Sequence, residues 1–363
     1  MGVLSGIRIV ELEGVGPGPF CGMHLADLGA DVLVLRRITG APNPISDAGD
    51  ATITSRGKRI VSIDLKSPDG VEQALAFIEK ADGFIEGMRP GVTERLGLGP
   101  DVCLKRNPRL AYGRVTGWGQ TGPLSQAAGH DINYIGLSGA LWYAGKPGDP
   151  PFAPPTLVGD IAGGALYLTI GLLSAVLAAR ATGQGQVVDA AIVDGTAHMM
   201  NLILTLKAAG GASNDRGQSI FDGPHWFDSY RCQDGGFISL GPVEPKFYAL
   251  LLEKLGLADN PDFAAQYDSR LWPSQKDAFT KLFAGRARQD WCELLEGTDA
   301  CFAPVLTPDE AALHPHMAAR GSYVAPGGVL QGAPAPRFSA TAPTATPEAP
   351  QTISVSSALK AWS

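Results

Sequence analysis

The chain has 363 residues, 45% of them hydrophobic and 18% charged, which is long enough for two domains with cores of their own and ordinary for a soluble protein. Its net charge of −7 argues against a nucleic-acid binder, because such proteins need a basic excess to neutralise phosphates. A small anionic ligand is not excluded, since a local basic cluster suffices for it.

The stretch "GIRIVELEG" alternates like a strand and breaks into "VGPGPFCGMHLADLGADVLVLRR", which reads as loop, helix and strand. Together they predict a βαβ unit that opens a parallel sheet. No charged segment followed by an apolar run precedes it, so no signal peptide is expected. The loop is not a dinucleotide fingerprint. Pro17 and Pro19 stand where backbone N–H groups would have to meet a pyrophosphate, and proline has none. NAD(P) binding is therefore not expected. "RIVSIDL" predicts a strand, "PDGVEQALAFIEKA" an amphipathic helix and "DGFIEGM" a strand. "GVTERLGLG" predicts a short helix and turn, and "LAYGRVTGW" another strand. The alternation predicts an α/β fold with an open, Rossmann-like parallel sheet.

Residues 161–179, "IAGGALYLTIGLLSAVLAA", reach the minimum length of a membrane span. Their glycines, and the strand-like "GQGQVVDAAIVDG" close behind, favour a buried helix, so no membrane span is expected. Residues 196–219 read as a linker helix and loop. "SYRCQDGGFISLGPVEP" predicts a hairpin turning at Asp234-Gly235-Gly236. Helices follow in "KFYALLLEKLGL", "WPSQKDAFTKLFAGRA" and "RQDWCELLEG". Residues 220–316 thus read as a smaller α+β domain, and residues 1–195 with 318–363 as the large one. The Pro-, Ala- and Thr-rich tail "APGGVLQGAPAPRFSATAPTATPEAPQ" predicts an extended segment wrapping the surface. The five cysteines, Cys21, Cys103, Cys232, Cys292 and Cys301, are scattered without a CxxC. Neither a disulfide framework nor a metal site is expected, and a reducing cytosol is.

Asp160, in "LVGDIAGG", is expected to end a short strand and precede the long apolar helix. An aspartate there is first of all an N-cap. A helix start also offers unpaired N–H groups and a positive dipole end, where an enolate oxygen is stabilised. His130, in "GHDINY", reads either as a hydrogen-bonded core histidine or as a group in a glycine-flanked loop after a strand, where open α/β folds bind ligands. Asp131 beside it reads as a turn residue. Arg36 and Arg37, then Arg56, Lys58, Arg59 and Lys66, then Arg89 and Arg95, fall at successive strand ends. They read either as a solvated surface or as a cradle for a phosphorylated adenosine carrier. Glu244, in a turn stiffened by Pro242 and Pro245, reads by itself as a surface residue.

Taken together, "GVGPGPFCGMHLADLGADV", "RGKRIVSIDLKS", "GMRPGVTERLGLGP", "RVTGWGQTGPLSQAAGHDINYIGLSG", "LVGDIAGG", "GQGQVVDAAIVDG", "SYRCQDG", "EPKFY" and "DACFAPVL" resemble the family III CoA-transferases (CaiB/BaiF-like). Within that fold they are most similar to the α-methylacyl-CoA racemases, and the motifs run nearly end to end. The resemblance implies an interlocked homodimer, with the active site where the large domain of one chain meets the small domain of the other. It implies that His130 and Asp160 are the two acid/base residues, with Asp131 in the same motif. It implies that Glu244 pairs with the histidine from the other subunit. It implies CoA-thioester contacts from Arg37, Ile63, Asp64, Leu65, Lys66, Gly87, Met88, Arg89, Arg95, Gly129, Asn133 and Tyr134. The chain departs from the pattern at Thr156, often Asn, and at Met88, commonly Tyr. These departures bear on the acyl and CoA contacts, not on the reaction class.

Inverting a carbon α to a thioester requires a proton to leave one face and another to arrive on the opposite face. A histidine and a carboxylate form such a pair, and Glu244 would orient the imidazole as the third member of a hydrolase triad does. The expected function is therefore racemisation of 2-methylacyl-CoA thioesters through an enolate. The alternative is CoA transfer between carboxylic acids through a covalent intermediate at Asp160. That route needs no histidine at position 130. Transferases of this kind also carry a glycine run in the small domain, which "FDGPHWFDSYRC" lacks. No cofactor is expected, CoA being part of the substrate. The C-terminal "LKAWS" is not a peroxisomal address, so the cytoplasm is expected. Branched fatty acyl, bile-acid and arylpropionyl thioesters share the reacting atoms, so the acyl chain stays open.

Overall fold

The computed structural model describes residues 2–38, 53–341 and 348–363. Its opening βαβ unit is β1 (Arg8–Leu12), α1 (Pro17–Asp27) and β2 (Asp31–Arg37). The prolines that spoil a dinucleotide loop start α1, where a missing N–H costs no helical bond. β3 (Arg59–Ile63) leads into α2 (Pro68–Ile78), whose N-cap Ser67 accepts from the Gly70 amide at 3.0 Å. β4 (Gly83–Glu86), α3 (Val92–Arg95), α4 (Pro100–Arg106) and β5 (Ala111–Thr116) follow. Then come α5 (Asp131–Leu137), π-helical turns over Leu157–Ala165, α6 (Leu166–Thr182), β6 (Gln186–Ala191) and α7 (Ile192–Met199). The short strand expected before Asp160 does not form. Thr156 precedes the π-helical turns instead, and Asp160 lies within them.

After α7 run α8 (Asn201–Ala208), β7 (Asp228–Arg231), β8 (Phe237–Leu240), α9 (Pro245–Lys254), α10 (Trp272–Phe283) and α11 (Arg288–Leu295). β9 (Phe302–Val305), α12 (Pro308–Leu313) and α13 (Pro315–Arg320) complete this stretch. The C-terminal part holds β10 (Tyr323–Val324), β11 (Gln331–Gly332), β12 (Gln351–Thr352) and α14 (Val355–Ala361).

Two compact units result. The larger comprises Met1–Ala140, Pro154–Met199 and Gly321–Ser363, and the smaller comprises Leu141–Ala153 and Met200–Arg320. Residues 141–153, read from the sequence as part of the large domain, thus pack with the smaller unit, as does most of the expected linker.

The larger unit is built on a seven-stranded parallel sheet of order β12-β3-β2-β1-β4-β5-β6. Both faces are covered, so its strands are near-continuously apolar. Val10, Leu33, Val61, Phe84 and Tyr112 pack on one face with Phe77 of α2 and with Trp362. Ile9, Val32, Ile85 and Ala111 pack on the other with Leu25 of α1 and Leu168 and Leu172 of α6. The helix over 157–182 is long and apolar enough to cross a membrane, yet one of its faces lies in this core. The tail is also more than a surface wrap. β12 extends the sheet in parallel beside β3, and Trp362 is buried. Residues 342–347 of that tail lie outside the described residues.

The smaller unit has a three-stranded antiparallel sheet, β7-β8-β9, and a core of Trp226, Tyr230, Ile238, Phe279, Phe283 and Trp291. The expected hairpin forms, with Gly235 at φ 83° where only glycine is unstrained.

Candidate active site

The strand order reverses between β1 and β4, and open α/β sheets bind ligands beyond the carboxyl ends of the strands at such a point. Two cavities open there. One, of about 190 Å³, is lined by Gly87, Met88 and Arg89 after β4, by Thr116, Gly117 and Trp118 at the end of β5, and by Gly129, His130 and Tyr134. The other, of about 270 Å³, is lined by Glu11 and residues 13–16 around the end of β1, by Pro19 and Phe20 of α1, and by Thr156, Asp160 and Ile161.

His130 is the N-cap of α5, and its amide donates to Asn133 Oδ1 at 3.0 Å. Tyr134, one turn on, donates its hydroxyl to the Gly129 carbonyl and sets its ring edge-on against Trp118 at 4.7 Å. A Cβ on Gly117 would lie 1.9 Å from the Tyr134 ring, so this packing requires glycine there. His130 itself is exposed. It is thus not the buried core histidine that its bland reading offered.

Asp131 is buried, and a single oxygen, Oδ1, accepts from the Gly159 amide at 2.8 Å and the Asp160 amide at 2.9 Å. The π-helical turns are closed by Ile161 N–H donating to the Thr156 carbonyl at 3.0 Å, and π-turns of this kind cluster at functional sites. α7 packs tightly on them. A Cβ on Gly195 would sit 1.9 Å from the Gly163 carbonyl oxygen. Asp160 is partly buried, and its carboxyl is pushed up to about 6, first by burial and then by the charge of Asp131, with His130 opposing. A group that titrates near neutral pH both takes and gives protons. The amides of Gly159 and Asp160 are committed to Asp131. The expected use of free helix-start N–H groups for an enolate oxygen is corrected accordingly at these two positions.

The profile of CoA-transferase family III matches residues 4–352. Alpha-methylacyl-CoA racemase of Mus musculus is 41% identical over 93% of this chain and 87% of its own length. Its counterpart from Homo sapiens is 41% identical over 88% of this chain and 82% of its own. Among solved structures, a CAIB/BAIF family protein from Brucella suis superposes with a TM-score of 0.82 at 26% identity, over 99% of both chains.

The chain belongs to CoA-transferase family III.

Of the residues singled out in the sequence of this family III member, His130, Asp131 and Asp160 are brought together in the larger unit. The fields of Asp160 and Arg89 both reach the Tyr134 hydroxyl, whose pKa burial raises. Gly87, Met88, Arg89, Gly129 and Tyr134 share a cavity with His130, while Asn133 caps the start of α5. Arg95 lies exposed on α3. Arg37 ends β2, half-exposed, and its amide donates to Glu13 at 3.2 Å. Lys66 is exposed, and Asp64 Oδ1 accepts from its amide. The side chains of Ile63 and Leu65 are in the core, so any contact they make with a ligand runs through the backbone. Glu244 lies exposed on the smaller unit, at the N-cap of α9 without a capping bond.

Part of the basic cluster is structural, contrary to the cradle reading. Arg56 pairs with Asp27 at 2.6 Å and is buried. Lys58 is buried against Glu11 at 2.6 Å and the Pro19 carbonyl at 2.9 Å. Arg59 pairs with Asp31, and Arg36 with Glu13 at 3.2 Å. The sequence reading did not single out Trp118, Phe20 or Glu13 as cavity walls. The glycines flanking Trp118 were the available signal, because they mark a close approach to the backbone.

Proposed function

We propose that the chain inverts the α-carbon of 2-methylacyl-CoA thioesters by two-base proton transfer. The observation that carries the reading is the fixing of His130 and Asp160 at the carboxyl end of one sheet, with Asp160 titrating near 6. One residue removes the α-proton as base, an enolate forms, and the other delivers a proton to the opposite face. The two roles exchange when the other epimer is the substrate. The identity to proteins named alpha-methylacyl-CoA racemase supports this reading.

CoA is part of the substrate, and the reaction needs no further cofactor. Its cradle is Arg37, residues 63–66 at and after the end of β3, Gly87–Arg89, Arg95 and the 129–134 turn. The working form is an interlocked homodimer in which Glu244 from the second copy orients His130. Exposed apolar side chains, Ile170 and Leu177 on α6 of the larger unit and Leu202 on α8 of the smaller, support a covered face on each unit. The free cysteines support a cytoplasmic location.

The test is exchange in D₂O. The protein should place deuterium at the α-position of both epimers of a 2-methylacyl-CoA with no acceptor acid added. CoA moving to a second carboxylic acid without α-exchange would establish the transferase chemistry at Asp160 instead.

A further inference from the structure

We propose that Glu86 and Arg114, which do not line the cavity, are positioning residues that set the acyl-CoA cradle through the backbone of residues 87–89. The proposal rests on the cradle reading above.

Glu86 and Arg114 are register partners on the adjacent parallel strands β4 and β5. The Glu86 side chain is 0% exposed and that of Arg114 7%. Charges so buried have to be paired and hydrogen-bonded. The two oxygens of Glu86 have different partners. Oε1 accepts from Arg114 Nε at 2.6 Å. Oε2 accepts from the backbone amide of Met88 at 2.6 Å. Neutralising Arg114 does not require that second bond. It folds the last carboxylate of β4 forward onto the loop that lines the cavity beside His130.

Arg114 extends the frame. Its Nη1 donates to Glu94 Oε1 at 2.8 Å and its Nη2 to the Thr93 hydroxyl at 3.3 Å. Both partners are on α3, the short helix that carries Arg95. One network, buried except at Glu94, therefore ties the Met88 amide on one side and α3, which carries Arg95, on the other. Four-residue α3 has little stability of its own, so its place depends on such contacts.

Glu86→Gln separates the two bonds. The amide keeps the shape but puts an NH₂ where one oxygen stood, and that NH₂ faces either Arg114 or the Met88 N–H, donor against donor. The arginine charge claims the remaining carbonyl oxygen, and the Met88 amide loses its acceptor. Loss of one such bond should weaken binding about tenfold. The expected result is a KM for acyl-CoA raised about tenfold, a matching rise in the Kd of CoA measured by calorimetry, and kcat within about threefold of the parent. An ion pair that only ties β4 to β5 would lower the thermal midpoint and leave KM alone.

Replacing both residues by apolar ones, Glu86→Leu with Arg114→Met, removes the two buried charges and still leaves the Met88 amide without an acceptor. This double variant should recover thermal stability without recovering KM. A parental KM and CoA Kd in either folded variant would overturn the proposal. If the parent protein shows no α-exchange, the racemase reading fails separately, and CoA calorimetry on the same variants still decides the role of Glu86.

Discussion

Asp131 holds Asp160 by its backbone and at the same time makes the Asp160 carboxyl harder to ionise. Its Oδ1 accepts the Gly159 and Asp160 amides, and its negative charge, after burial, helps raise the Asp160 carboxyl to about 6. Exchange of the epimer whose α-proton Asp160 removes needs the carboxylate, so that rate should rise with pH through about 6. Asp131→Asn removes a like charge, so the Asp160 pKa falls and the rising limb moves to lower pH. The pH profile of α-deuterium incorporation measures it. An unmoved limb would assign the whole effect to burial.

The two-base assignment predicts complementary variants. His130→Ala should abolish inversion, because one face has no proton donor, while Asp160 still takes and returns a proton on its own face. Residual deuterium exchange should then be confined to one epimer, and Asp160→Ala should favour the other. Mass spectrometry on separate R and S thioesters reads this. Two variants with the same epimer preference would sink the assignment.

Thr156 has φ 63°, a left-handed conformation that strains a β-branched residue by about 1–3 kcal/mol. Asparagine tolerates that region. Thr156→Asn should therefore stabilise the protein by about 1 kcal/mol, a rise in Tm on the order of 2 °C, and Thr156→Val should give no gain. Thermal unfolding at fixed pH distinguishes them. A lower Tm for Thr156→Asn would mean that the hydroxyl contributes more than the strain costs.

His225 is fully buried in the smaller unit. Its Nε2 contacts the Tyr248 hydroxyl at 2.8 Å, and its Nδ1 has no hydrogen-bond partner among the described residues. Burial, with a lesser push from Lys276, takes its pKa from 6.5 down to about 3. The unfolded chain therefore binds a proton that the folded one refuses. Stability is full above about 6.5 and is lost as pH falls toward 3, by about 1.4 kcal/mol per pH unit from this group. His225→Phe should flatten that acid limb of the Tm–pH curve. An equally steep limb in the variant would place the acid sensitivity elsewhere.

Much of the order of elements was legible in the sequence because those elements announce themselves locally, whereas the strand expected before Asp160 did not form and β12 and α14 were not foreseen in the tail. Strand alternation, the amphipathic spacing of α2 and the Asp234-Gly235-Gly236 turn are all short-range patterns. His130 and Asp160 stood out as candidates through two residue types in glycine-flanked stretches, but their acid/base roles came from the family resemblance and not from any local pattern. Tertiary structure alone decided which charges face a ligand. Arg56, Lys58 and Arg59 read like Arg89 and Arg95 in the sequence, but their partners Asp27, Glu11 and Asp31 come from α1, β1 and β2. It also decided that Asp131 is a backbone anchor and that residues 157–165 wind as π-turns. Both follow from α5 and α7 closing on one segment, with Gly159, Gly163 and Gly195 permitting the approach. No local periodicity encodes such contacts, because they depend on which distant surfaces the sheet brings face to face.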